Sequence, residues 1–309
     1  MTAGWVAATV RAKAMARRRV GAGLARRIAD SPNLDAGLAL LEGTAFTEVA
    51  VPGTALPDAE HRIRAELLWE LRVLAGWMPS GGAPLARALA ARFEMANIEA
   101  HRDRLAGREE PPAFTLGALA VSWPRLAATT SLDELRYELS ASPWGDPGGM
   151  TATELHDALH LAWLRMVSSA AGIETVRRWA AAGAALVVAR RIETLEQRAR
   201  EPLVRAAVPL LGWRWASAGS LADLRAALPE KARWALDGIA EASQLWRAET
   251  RLRIRMESDG YRMFRSATSG PEPVVGAVAV LAVDGWWVRA ALASAATGAG
   301  RSEVFDVVA

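Results

Sequence analysis

Residues 61–78 read HRIRAELLWELRVLAGWM, and within them Leu67, Leu71, Leu74 and Met78 fall at i, i+4, i+7 and i+11. Side chains spaced in this way stand on one side of an α-helix, so the stretch predicts a helix over about residues 61–78 with that face buried. Pro79, Gly81 and Gly82 follow at once and break it. Comparable breaks fall at Pro111 with Pro112, over residues 143–149, and at Gly270 with Pro271 and Pro273. Between them apolar residues recur at helical spacing, and alternating runs are few. Ser131 ahead of Leu132, Asp133 and Glu134, and Ser220 ahead of Leu221, Ala222 and Asp223, have the hydroxyl-then-acid order of a helix N-cap, so short helices are expected to begin there. The fold class read from this pattern is all-α.

Composition narrows the function classes. The chain has 309 residues, 51% of them hydrophobic, enough to bury a sizeable core. It has no Cys, which removes disulfides and thiolate metal sites. Its 37 basic residues nearly balance 34 acidic ones, so bulk charge argues against nucleic acid as a partner. The longest uncharged apolar run near the C-terminus, residues 274–283, is interrupted by Asp284 and Arg289 and falls short of the ~20 residues a membrane span needs. Arg11, Lys13, Arg17, Arg18 and Arg19 have no apolar core and cleavage site behind them, unlike a secretory signal, so the expected location is the cytoplasm.

The chain also repeats itself. A shift of 88 residues carries Glu66 onto Glu154, Leu67 onto Leu155, Leu71 onto Leu159, Met78 onto Met166 and Arg102 onto Arg190. The capped stretch at Ser131 returns 89 residues later at Ser220, and a Leu-Gly pair precedes each, at Leu116-Gly117 and Leu211-Gly212. Residues 34–46 match residues 132–144 in their spacing of Leu, a small hydroxyl and a terminal aromatic, and residues 244–298 supply the helix pair of a further unit. The predicted segments are an N-terminal partial repeat (1–50), two helical repeats (61–146 and 151–239) and a C-terminal partial repeat (242–309). Head and tail fragments are placed to complement each other, which suggests pseudo-threefold closure of one funnel-shaped body.

At this point the order of motifs resembles a known family. The helix holding Glu94, Asn97 and Arg102, the block Thr115-Leu116-Gly117 with Ser131 to Leu135 and Ser142-Pro143-Trp144-Gly145, and the ending Ser269-Gly270-Pro271-Glu272-Pro273 are similar to the C-type central-stalk component of the A-type and V-type rotary ATPases, whose eukaryotic counterpart is the d-type component. The second unit departs from the pattern, with Ala182 and Ala185 at the acid and Asn positions and only Arg190 kept. The last unit has Asp284 for the acid, Trp287 for the Asn and Leu292 for the Arg. The resemblance implies a non-catalytic central-stalk (rotor) subunit, without cofactor or small-molecule substrate, peripheral on the cytoplasmic side of the membrane. Its implied partners are the axle subunits of the D and F type and the proteolipid ring. Glu94, Asn97, Arg102, Arg190 and Asp284 are then structural residues recurring from unit to unit.

Other motifs point to different chemistry. His156 and His160 stand at i and i+4, as in a zinc hydrolase helix, but Asp157 occupies the place where that chemistry uses Glu, and no third ligand is evident. A metal-dependent hydrolase and an unrelated helical adaptor are therefore the alternatives. Neither Lys13 nor Lys231 lies in a Gly-Lys-Ser/Thr loop, and Gly21-Ala22-Gly23 lacks the third glycine and preceding strand of a dinucleotide fold. The cluster Arg11, Lys13, Arg17, Arg18 and Arg19 is a candidate contact for phosphates, acidic lipid headgroups or an acidic partner face, a partner surface or the membrane edge being favoured over nucleic acid, or alternatively a solvated helix side; Arg11, Arg17, Arg18 and Arg19 are its candidate partner-contact residues. Among thirteen tryptophans, Trp69, Trp77, Trp163 and Trp179 are expected to pack, and the adjacent Trp286 and Trp287 to leave one indole available for docking, with core filling as the competing reading.

Overall fold

A computed structural model describes residues 3–192 and 197–298, which are mostly helical with no β-strand among them. In chain order the helices are α1 (Ala3–Arg17), α2 (Gly21–Ala29), α3 (Leu34–Ala39), α4 (Leu56–Trp77), α5 (Ala83–Leu105), α6 (Trp123–Leu126) and α7 (Leu132–Ser140). They continue with α8 (Ala152–Ala171), α9 (Glu174–Arg191), α10 (Gln197–Leu211), α11 (Leu221–Ala227), α12 (Glu230–Arg233), α13 (Leu245–Phe264) and α14 (Pro271–Thr297). The chain is all-α, as its periodicity predicts. Packing separates two compact units, one formed by Met1–Ala83 with Arg253–Ala309, the other by Pro84–Leu252.

The first unit is assembled from both ends of the chain around α14. This helix carries only Glu272, Asp284 and Arg289 as charges, so it is apolar on every side and can satisfy itself only by being surrounded. It packs against α1, α2, α3 and α4. Pro271 opens it after Gly270, and Gly298 closes it in the left-handed region at φ 63°. At 27 residues, with a mean hydropathy of 1.5 over its most apolar window, α14 is long and apolar enough to cross a membrane, contrary to the expectation from the interrupted run. Two charges do not lower the average of so apolar a helix below that mark. Two thirds of the window is buried inside the protein. Where α13 meets α14, a Cβ on Gly276 would stand 2.6 Å from the Gly260 carbonyl oxygen, so these two backbones touch because neither residue has a side chain.

In the second unit α9 plays the central part, packing against α8, α10 and α12. Its residues from Trp179 to Ala189 are all buried, and most of them are alanine, which lets neighbouring helices approach closely. The preceding helix α8 begins in a capping box, in which the Thr151 hydroxyl accepts from the Glu154 amide while the Glu154 carboxylate reaches back, and it ends at Gly172 with φ 64°.

Some of the expected elements recur along the chain, but α10, fifteen residues long, stands between α9 and α11 where only irregular chain and the four-residue α6 separate α5 from α7. Long helices come in successive pairs, α4 with α5, α8 with α9, and α13 with α14, and the first two pairs are each followed by a capped short helix, α7 or α11. The caps match: the side chains of Ser131, Ser220 and Asn33 each accept from the amide three residues on, at the heads of α7, α11 and α3. The turn after the short helix matches as well. Thr44 Oγ1 donates to Leu41 O (2.6 Å) and accepts from Phe46 N (3.1 Å), and Ser142 Oγ does the same with Leu139 O (2.7 Å) and Trp144 N (3.1 Å). Phe46 and Trp144 are both 3% exposed. The boundaries between compact units fall at residues 83/84 and 252/253, inside the segments 61–146 and 242–309, because a repeat follows chain order whereas a unit follows packing.

Candidate functional site

The acid, Asn and Arg of α5 point inward. Glu94, Asn97, His101 and Arg102 share one helical face and are all buried. Glu94 Oε2 accepts from Val121 N (2.6 Å), and Oε1 accepts from Ser122 N (2.8 Å) and Trp144 Nε1 (2.9 Å). Asn97 donates from Nδ2 to Phe114 O (2.9 Å) and accepts at Oδ1 from Phe114 N (2.7 Å), as a second strand would. Thr129 gives its hydroxyl proton to Leu126 O (2.8 Å), which leaves Oγ1 to accept from His101 Nε2 (3.0 Å). Burial lowers the His101 pKa, and Arg104 adds to the effect. Arg102 pairs with Asp103 at 2.8 Å. The irregular segment after α5 has no helical partners for its amides, and these side chains supply them.

The same device recurs on α14. Asp284, 2% exposed, accepts from Val20 N at Oδ2 (2.9 Å) and from Gly21 N at Oδ1 (2.7 Å), the two amides at the head of α2. Burial raises its pKa, and the two amide hydrogen bonds and Arg19 pull it back. In both units, then, one buried carboxylate bridges two consecutive backbone amides. On α9 the corresponding Ala182 and Ala185 are fully buried in an apolar cluster that includes Trp215, so packing stands where the other two helices use hydrogen bonds. Arg190 lies on the surface and pairs with Glu249.

Neither protein-family models nor curated proteins match this chain.

His156 is held by Glu99, Nδ1 to Oε1 at 2.7 Å, and its ring lies 5.6 Å from that of His160. Asp157 between them is buried: it is 6% exposed, 3.3 Å from Arg191 Nε, with a pKa pushed up to about 6 by burial against the opposing pull of Arg191, His156 and Arg190. Among the described residues no group of three or more His, Cys, Asp or Glu could hold a metal ion.

The surface candidates divide. Arg17 and Arg18 are exposed, and Arg18 reaches Glu70 at 3.9 Å. Arg11 is half-buried, and Arg19 lies 5.0 Å above the ring of Tyr261. Trp287 is corrected from a docking candidate to a core residue: it is 2% exposed, because α14 is enclosed on nearly every side. Trp286 is half-buried beneath the Arg253 guanidinium, 4.4 Å from the ring centre. Trp69 and Trp77, expected to pack, are instead 55% and 52% exposed, since α4 turns Ile63, Leu68, Leu71 and Leu74 inward. Sequence reading missed the buried Asp259, flanked by Arg255 and Arg262; two arginines at i−4 and i+3 around one acid were its only signal.

Proposed function

We propose that this chain is a non-catalytic rotor subunit of an A/V-type ATPase, joining axle subunits of the D and F type to the proteolipid ring on the cytoplasmic face of the membrane. The observation that carries the reading is the repeated bridge, Glu94 to the amides of Val121 and Ser122 and Asp284 to those of Val20 and Gly21, set in helix pairs that follow one another in the order the family resemblance implies. A part that transmits torque needs rigid modules whose loops do not slip, and buried carboxylates locking loop amides to long helices supply that rigidity. Closure of the modules into a funnel that receives the axle belongs to the same proposal.

Affinity purification of the tagged full chain from its own cells tests it. Recovery together with D- and F-type subunits and the proteolipid supports the rotor role. Recovery alone, or with unrelated proteins, assigns the chain to the helical adaptors instead.

A further inference from the structure

We propose that the outer face of α1 and α4 docks on an anionic lipid surface. α1 and the two residues after it carry Arg11, Lys13, Arg17, Arg18 and Arg19 and no Asp or Glu; Arg17 and Arg18 are exposed, while Lys13 donates to Ser266 O and Arg19 lies over the Tyr261 ring. This charge segregation sits beside exposed apolar groups. Of the seven large hydrophobic side chains left exposed among the described residues, four lie on these two helices: Val6 (46%), Val10 (65%), Trp69 (55%) and Trp77 (52%).

The helices run side by side in opposite directions. Gly4 lies against Pro79 at one end, Arg18 reaches Glu70 further along, and both helices pack on α14. Val6, Val10, Ala14 and Arg17 fall at i, i+4, i+8 and i+11, a stripe turned away from the buried Ala8, Ala12 and Met15. On α4, Trp69, Arg72 and Gly76 form the outward row with Trp77 beside it, and Arg72 lies 5.8 Å from the Trp69 ring.

Half-exposed indoles and valines on helix ridges suit the headgroup boundary, where an indole is apolar on its faces and polar at its N–H. Arg17 is exposed on this face and meets no carboxylate among the described residues, so its guanidinium group is available to lipid phosphates. A protein hot spot would instead centre on enclosed, tightly packed anchors. The proposal does not depend on the rotor reading and can fail without it.

The full chain is sedimented with phosphatidylcholine vesicles, with and without phosphatidylglycerol, at low salt and at about 1 M salt. Binding is expected only with phosphatidylglycerol and only at low salt. Each cation lost near an anionic surface weakens binding roughly fivefold, so Arg17→Ala with Arg18→Ala is expected to cost roughly 25-fold, and the Glu pair more. Trp69→Ala with Trp77→Ala also weakens it, while Arg87→Glu on α5 leaves it unchanged. Equal binding to both vesicle types, no binding at low salt, or an equal loss in the Arg87→Glu control overturns the proposal. So does retention of an acidic helical protein by a chain that ignores vesicles, which reassigns the face to a protein partner.

Discussion

Glu94 gathers three N–H donors onto one buried carboxylate, and so many fixed donors make the site sensitive to which atoms face them. Glu94→Gln keeps the shape but replaces one acceptor oxygen with an NH2 group that points hydrogens at hydrogens. It is expected to lower stability by about 1–3 kcal/mol, read as a fall in urea midpoint at unchanged slope. Asp157 behaves in the opposite sense. Its folded pKa of about 6 lies above the unfolded value near 3.9, so the folded state holds the proton more tightly, and stability falls as pH rises from about 4 through 6. Above that window its charge costs about 3 kcal/mol, since one pKa unit corresponds to about 1.4 kcal/mol. Asp157→Asn is expected to flatten the stability profile between about pH 4 and 6.5 and to raise stability at pH 7.5; parallel profiles for the two proteins would refute the assignment.

At the scale of elements, caps and crossings dominate. Ser131→Ala removes the acceptor for the Glu134 amide at the head of α7 and is expected to cost about 1 kcal/mol by thermal or urea melting. Gly276→Ala places a methyl group 2.6 Å from the Gly260 carbonyl, where only backbone can yield, so a loss of about 1–3 kcal/mol or more is expected. Much of this scale was legible in the sequence. Helix pairs, their breaks at Pro79, Pro111, Pro143 and Gly270, and the caps at Ser131 and Ser220 are local events, written in residues whose backbone preferences or hydroxyls act within one turn. Faces were less legible. Trp69 and Trp77 carry the same apolar label as Leu71 and Leu74, and which of them turns inward depends on where α1 and α14 lie. Asp157 likewise looks like any helical acid until α9 brings Arg191 beside it. Glu94 carries no local sign of its role, because the amides it serves lie 27 and 28 residues away, beyond any local pattern.

For the whole molecule, the division into a continuous unit and a discontinuous one makes a direct prediction. A fragment comprising residues 84–252 is expected to melt cooperatively by circular dichroism, whereas residues 1–83 alone, lacking α14, are expected to show little stable helix. The discontinuity also bears on how the chain is made. A ribosome adds roughly 5–20 residues per second, so α1 to α4 emerge and wait about ten to forty seconds before α14 has been synthesised. During that interval α1 can already pack on α4 and α2 on α3, but the sides of all four that α14 covers stay open, while the middle of the chain can already fold. Birth order thus makes α1 to α4 the stretch most in need of chaperone shelter, and α14 the helix that ends that dependence.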